Sequence, residues 1–376
     1  MVVLGASAAQ MGVLTAVQYV PFLLFGLLAG VWVDRFRRRP ILIASDLVNA
    51  VALITIPLAA VAGLLRFELL LGVAFVTGST LVISSVAYQS FLPRLVPREH
   101  LVDANAALEL GASTSITVGP GVGGFLVQIL TAPIAVLADA ISFLFSALWL
   151  RAIRTPEPPP IPVERRESAI RQIAEGLRLV LGNSLLRPIM ACGMTHNLFA
   201  RMIEALFIFY AVTTLGLDPV TLGLVLACAG PGAVVGALLS SRVPRRLGLG
   251  RTLVAGQALT GISRLLIPVA IGPAPVPAVV LGLSIFLLGV ARPVFNVNQL
   301  SLRQTITPDR LQGRVNATMR FLMWGVTPIG ALIGGLAASV VGVHAVLVIA
   351  GFGVLAATLP LLLSPVARLR EQPPAA

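Results

Sequence analysis

The sequence predicts an all-α membrane protein built from two related halves, and three observations carry that prediction. The first is composition: of 376 residues 57% are hydrophobic and 11% charged, with a mean hydropathy of +0.95. Soluble domains carry roughly a quarter charged residues, so this chain is read against a bilayer. The second is that apolar runs long enough to cross a membrane recur along the chain. The third is a segment written twice. Gly26-Leu27-Leu28-Ala29-Gly30, leading to Asp34, Arg35 and Arg37 to Arg39, is answered by Gly236-Ala237-Leu238-Leu239, leading to Arg242, Arg245 and Arg246. Pro97-Arg98-Glu99 with Asn105-Ala106 is answered by Pro308-Asp309-Arg310 with Asn316-Ala317, and Gly123-Gly124 by Gly334-Gly335. The offsets are 210, 211 and 211, which marks one half as a diverged copy of the other.

Taken in order, the runs of about 20 apolar residues lie at 12–33, 41–63, 69–92, 105–128 and 133–150 in the first half. Those of the second half lie at 188–214, 219–241, 252–272, 276–300, 317–340 and 343–363. Charge groups at 35–39, 94–98, 151–187, 242–251, 303–314 and 368–370 close alternate runs and hold 22 of the arginines, whereas the opposite set of loops holds one, Arg66. The positive-inside rule then puts the arginine-rich loops and the C-terminus in the cytoplasm of a multi-pass protein of the cell membrane. Gly and Pro within the runs are tolerated because neighbouring helices or waters can satisfy the freed backbone groups.

The helix at 188–214 should have a counterpart some 211 residues earlier, before residue 1. The chain is therefore expected to lack the first helix of its first half, through a start codon assigned too late or a truncated gene; a natural eleven-span protein is the other reading. On this basis 1–150 forms an N-terminal bundle and 188–366 a C-terminal one, with a cytoplasmic tail at 367–376. Residues 151–187 form a cytoplasmic linker, opened by Pro156, Pro158, Pro159, Pro160 and Pro162. From Ser168 to Leu181 the linker spaces Ile170, Ile173, Leu177 and Val180 at helical intervals, a pattern that fits an amphipathic helix on the membrane surface.

Composition also excludes several functions. The net charge of +12 records topology, not a nucleic-acid partner. All 27 basic residues are arginine, and without lysine the chain has neither a Walker A phosphate loop nor a Schiff-base nucleophile. Cys192 and Cys228 have neither the spacing nor the histidine company of a metal site. No aspartate-rich D-D-x-x-D run is present, as a membrane prenyl transferase would need for its metal and diphosphate, so an enzyme is not expected. A repeat on this scale in a membrane protein points to a transporter, in which two similar halves rock about a shared site.

Two motifs narrow this reading. Gly30, Asp34, Arg35, Arg38 and Arg39 form a G-x-x-x-D-R-x-x-R-R pattern that resembles the loop between helices 2 and 3 of the major facilitator superfamily. A carboxylate there can accept from exposed N–H groups at a helix end, and the arginines can pair with acids, so the group is read as a cytoplasmic latch that includes Asp46. The second copy has Pro244 where the first has Asp34, which makes the latch one-sided. Ser115, Gly119, Pro120, Gly123 and Gly124 resemble the G-x-x-x-G-P-x-x-G-G signature in helix 5 of the superfamily's exporters, with Ser115 in place of the first glycine. Small residues at this spacing allow close helix approach and Pro120 introduces a kink; the bland alternative is a packing stripe with no bearing on transport direction.

Across 12–366 the chain is similar to the branch of the superfamily that holds the enterobactin exporter and macrolide efflux proteins, through Phe91 to Glu99, Ala104-Asn105-Ala106 and Asp139 to Phe143. The resemblance implies two six-helix bundles, with 11 of 12 helices present here, and a monomer without cofactor. It implies export of an amphipathic small molecule across the bilayer in exchange for protons. A truncated or non-transporting relative is the alternative.

Charges inside the spans are the candidates for coupling and substrate contact, since each is costly unless paired or solvated. Arg201 and Glu204 stand three apart on one helix face, Arg264 and Arg292 lie deep in other spans, and Glu109, Asp139 and Arg320 sit nearer an end. Glu204 is the first choice for the coupling group and Glu109 the second; Asn296, with Asn298 and Gln299, is a polar patch beside Arg292. His196 is read as a packed imidazole.

Overall fold

The computed structural model describes residues 5–33, 36–95, 101–153, 157 and 169–371, and every regular element among them is helical. In chain order these are α1 (Ala8–Val33), α2 (Arg38–Val61), α3 (Phe67–Leu95), α4 (Leu101–Leu130), α5 (Ala132–Ala152), α6 (Ala169–Gly182) and α7 (Leu186–Phe209), which runs on into a π turn at Tyr210–Thr214. There follow α8 (Pro219–Ala227), α9 (Ala229–Leu247), α10 (Leu249–Val269), α11 (Val276–Thr305), α12 (Asp309–Gly325), α13 (Thr327–Val341), α14 (Val343–Ala356) and α15 (Leu359–Leu362). Ten of the resulting spans are long and apolar enough to cross a bilayer among the described residues, against eleven expected. The difference is the run at 105–128, which lies on α4; there only Val118–Leu130 stands out as an apolar helix.

Three of the expected spans are each made of two helices, and proline accounts for the breaks. A proline lacks the N–H for the bond four residues back and its ring crowds that carbonyl. Pro231 would bond to Ala227, where α8 ends, Pro328 to Trp324, one residue before α12 ends, and Pro360 to Ala356, where α14 ends. The outer faces suit lipid: Val61, Trp149, Val340 and Leu363 are all more than 70% exposed, a cost water would impose and hydrocarbon does not.

The chain divides into two compact units: Met1–Ser7, Leu14–Ser113 and Phe125–Glu167, and Ala8–Val13, Thr114–Gly124 and Ser168–Ala376. In the first, α2 packs against α3 and α5, and Thr80 Oγ1 donates to Asn49 Oδ1 in a buried bond. Gly78 lies against the Gln18 carbonyl so closely that no Cβ would fit. The same contact recurs in the second unit, where a Cβ on Gly289 would stand 2.5 Å from the Ala229 carbonyl. Both partners are shifted by 211 residues, so the repeat preserves a backbone contact as well as a motif. Without a hydrophobic drive between helices in lipid, close backbone approach through small residues is a main source of cohesion.

In the second unit α11 packs between α9 and α10, and α7 between α13 and α14. The amphipathic α6, expected on the membrane surface, is seated on α12. Gly176 lies against Arg314 and Thr318, Glu175 pairs with Arg314, and Val180 is buried with Leu186, Ile189 and Met190. A helix whose apolar stripe includes glycine can approach a neighbour more closely than lipid requires. The start of the segment read as a cytoplasmic tail is docked as far as Arg370: Leu369 and Arg370 carbonyls accept from the Gly250 and Leu249 N–H groups at 2.8 and 3.1 Å, satisfying the open N-terminus of α10. Asp218 caps α8 through the Val220 and Thr221 N–H groups and the Thr221 hydroxyl, and these donors, the hydroxyl first, hold its carboxyl below the usual aspartate value.

The N-terminus of α2 is held by Glu157, 119 residues away in sequence. Its two oxygens accept from the backbone N–H groups of Arg38 at 2.6 Å and Arg39 at 3.1 Å. Arg39 in turn donates from Nε to the Leu150 carbonyl at 2.8 Å and from Nη2 to that of Arg151 at the end of α5. A carboxylate on a helix N-terminus satisfies orphan donors and meets the positive end of the helix dipole. Replacing Glu157 with Ala should lower the stability of the first unit by about 1–2 kcal/mol, read as an earlier thermal unfolding transition in detergent.

Candidate functional site

Between residues 188 and 366 the expected spans contain a single acid, Glu204. It projects from α7 and holds two arginines. Arg201, one turn earlier on the same helix, reaches Oε2, and Arg264 of α10 donates from Nη2 to Oε1 at 3.1 Å. The three side chains differ in access: Arg264 is 7% exposed, Arg201 15% and Glu204 39%, so the carboxylate is the open member and Arg264 the buried one. Arg292 of α11 is exposed and lies within electrostatic reach of Arg264 and His196. Two guanidinium groups thus share one carboxylate, with a third, that of Arg292, close to Arg264.

Aromatic and amide groups complete the surroundings. The Arg201 guanidinium sits 5.5 Å from the centre of the Trp324 ring, a cation–π geometry, and Trp324 lies at the break between α12 and α13. Asn197 Nδ2 donates to the Met323 carbonyl at 2.7 Å, which ties the same break to α7. His196 pairs at 3.2 Å with Gln257, whose amide also donates to the Val354 carbonyl at 3.0 Å. That is the packed imidazole the sequence suggested. The polar patch on α11 splits: Asn298 is buried and clamps α11 to α9 through the Ser240 carbonyl at 2.9 Å, whereas Asn296 is exposed.

The exporter-type motif on α4 meets α8. A Cβ on Gly124 would collide with the Pro219 carbonyl and stand 3.1 Å from Gly223 Cα, and one on Gly223 would stand 2.7 Å from the Pro120 carbonyl. Gly119 and Gly123 have open space at that position, and Ser115 is exposed, so the close approach rests on Pro120 and Gly124. A second contact of this kind joins α1 and α13, with Gly12 and Gly335 so placed that a Cβ on either would stand 2.5 Å from the other's Cα. Gly12 and Gly223 are 211 apart, as are Gly124 and Gly335, so the two contacts are copies of each other. Gly12 and Gly223 escaped the motif reading because a glycine's role depends on what faces it; adding the repeat offset to each glycine would have found them.

The latch is only partly described. Asp34 and Arg35 lie outside the described residues, and Gly30, like Glu109, is described only as a helical position. Arg38 and Arg39 are engaged with Glu157 and the end of α5 as above, and Arg38 Nη1 also donates to the Phe36 carbonyl at 3.1 Å. Asp46 bonds Ser146 of α5, its Oδ2 has no partner among the described residues, and no ion pair to an arginine is formed there. Asp139 serves locally, its carbonyl accepting from the Ser142 hydroxyl at 2.7 Å.

The profile of the transmembrane secretion effector family matches residues 1–374. The multidrug efflux pump Tap of Mycobacterium tuberculosis is 28% identical over 353 residues, covering 90% of this chain and 81% of the pump. Macrolide efflux protein A of Streptococcus pyogenes is 25% identical over 344 residues, covering 90% and 83%. Among solved structures, the nucleoside transporter NupG superposes with a TM-score of 0.75 at 13% identity, over 95% of this chain and 91% of that one, which shows the fold.

The asymmetry of burial around Glu204 makes its removal costlier than that of its partner. Glu204→Ala leaves Arg264 in the apolar interior without a counter-charge and should cost about 2 kcal/mol, less than a fully buried pair because the carboxylate is partly open. Arg264→Met leaves Glu204 with Arg201 and should cost less than about 1 kcal/mol. Thermal unfolding of the two purified variants compares them directly; a larger loss for Arg264→Met would contradict the pairing order.

Proposed function

Because the chain belongs to the transmembrane secretion effector family of the major facilitator superfamily, we propose that it is a proton-coupled exporter of an amphipathic small molecule, working by alternating access in the cell membrane. Its relatives are efflux transporters and not enzymes. The observation that carries the mechanistic reading is Glu204, the single acid in the spans of the second half, partly open, paired with Arg201 on its own helix and bridging α7 to α10 through Arg264. Ionisable groups at membrane depth are retained for function.

The proposed cycle uses that bridge. While Glu204 is ionised, Arg264 is held against α7. A proton taken up by the carboxylate removes both ion pairs and frees α10 to shift relative to α7, and loss of the proton on the other side restores them. The proton gradient supplies the energy, and no cofactor takes part. The arginine-rich loops favour a cytoplasmic C-terminus. With that orientation the Gly12–Gly335 and Gly124–Gly223 contacts lie toward the outer side, where two symmetric backbone contacts suit a gate that parts and re-forms. The chain acts as a monomer between two bundles, at 1–150 and 188–366, joined by the linker at 151–187.

Expression in a pump-deficient cell, with accumulation measured across macrolides, siderophores and dyes, tests this reading. The wild-type chain should lower accumulation of at least one compound, and Glu204→Gln should abolish the effect while reaching the membrane in equal amount. Undiminished export by that variant would remove Glu204 from the mechanism. Gly335→Leu should reduce export about tenfold or more by wedging the contact with Gly12, measured in the same assay.

A further inference from the structure

We propose that the cluster around Glu204 binds an organic anion, so that the exported molecule carries a carboxylate or a comparable acidic group; this rests on the exporter reading above and names its substrate class. Three observations lead there. Arg201 and Arg264 pair with Glu204, and Arg292 lies within electrostatic reach of Arg264, so this cluster holds three arginines and one acid, an excess of two positive charges. Arg264 is more than nine-tenths buried, and its Nε is buried without a partner among the described residues while Nη2 is spent on Glu204. Arg292 is exposed beside it and makes no ion pair among the described residues.

Burial of a guanidinium is costly unless its donors are met, and the fork geometry of arginine suits two oxygens of one acidic group. The donors left over by Glu204 are therefore those a carboxylate would satisfy. Trp324, already against Arg201, offers an aromatic face to the rest of an amphipathic molecule. In this cluster a cationic substrate would have only Glu204 to bind, and there it would displace a guanidinium and meet the excess positive charge. Anion exit and proton entry both move charge in the direction favoured by an interior-negative membrane.

Two dyes on related tricyclic frames separate the alternatives: fluorescein, an anion near neutral pH, and rhodamine 6G, a cation. Binding to the purified full chain in detergent is followed by fluorescence polarisation. Fluorescein should bind at least about tenfold more tightly than rhodamine 6G, and Arg264→Gln should remove that preference. Arg292→Gln, at an exposed position with no structural bond, should weaken fluorescein about tenfold with an unchanged unfolding temperature, which separates loss of the site from loss of the fold. Preference for rhodamine 6G, binding of neither dye, or an unaltered preference in both variants would overturn the proposal. Efflux of the dyes from cells keeps the two readings apart. Export of rhodamine 6G but not fluorescein would leave the exporter and remove the anion site; arginine-dependent fluorescein binding without efflux of any compound would do the reverse.

Discussion

The ion pairs of Glu204 with Arg201 and Arg264 are the interaction on which the second half depends. A guanidinium that is 7% exposed among apolar helices needs a counter-charge, and the expected spans between 188 and 366 supply no other acid. The pair therefore ties α10 to α7, beside the His196–Gln257 bond. It also places Arg201 over Trp324, at the break where α12 gives way to α13. Charge, aromatic surface and helix break converge on one position, and a change in the protonation of one carboxylate would reach all three.

Within the units, several helix pairs are held by close backbone approach. Gly78 against Gln18 and Gly289 against Ala229 repeat one contact within each copy of the duplicated sequence, and Gly12 with Gly335 and Gly124 with Gly223 repeat another. Such contacts suit a protein that changes conformation in lipid. They provide dispersion and weak backbone interactions when closed, yet expose little that hydrocarbon would reject when open. Glycine is the one residue that permits them at these positions, because a Cβ at any of the six would overlap a neighbouring backbone atom.

Much of the architecture was legible in the sequence because hydropathy, arginine placement and the 211-residue offset act over long stretches. The Arg201–Glu204 pair was legible too, since residues three apart share a helix face. What was not legible depends on tertiary neighbours. Arg264 reaches Glu204 from 60 residues away, and Glu157 caps α2 from 119 residues away within a proline-rich stretch that carries no capping signal. Periodicity gave α6 an apolar face but could not say that protein, not lipid, would cover it; Gly176 was the residue that decided. The run expected at 105–128 lies on the helix α4, of which Val118–Leu130 is the apolar stretch among the described residues.

The central claim is that Glu204 carries the proton that drives export. Proteoliposomes holding the purified chain and a trapped pH indicator, given an exported compound on one side, report that proton directly. The wild type and Glu109→Gln should both show a proton flux on addition of the compound, and Glu204→Gln should show none. A flux that persists in Glu204→Gln, or one lost only in Glu109→Gln, would contradict the account.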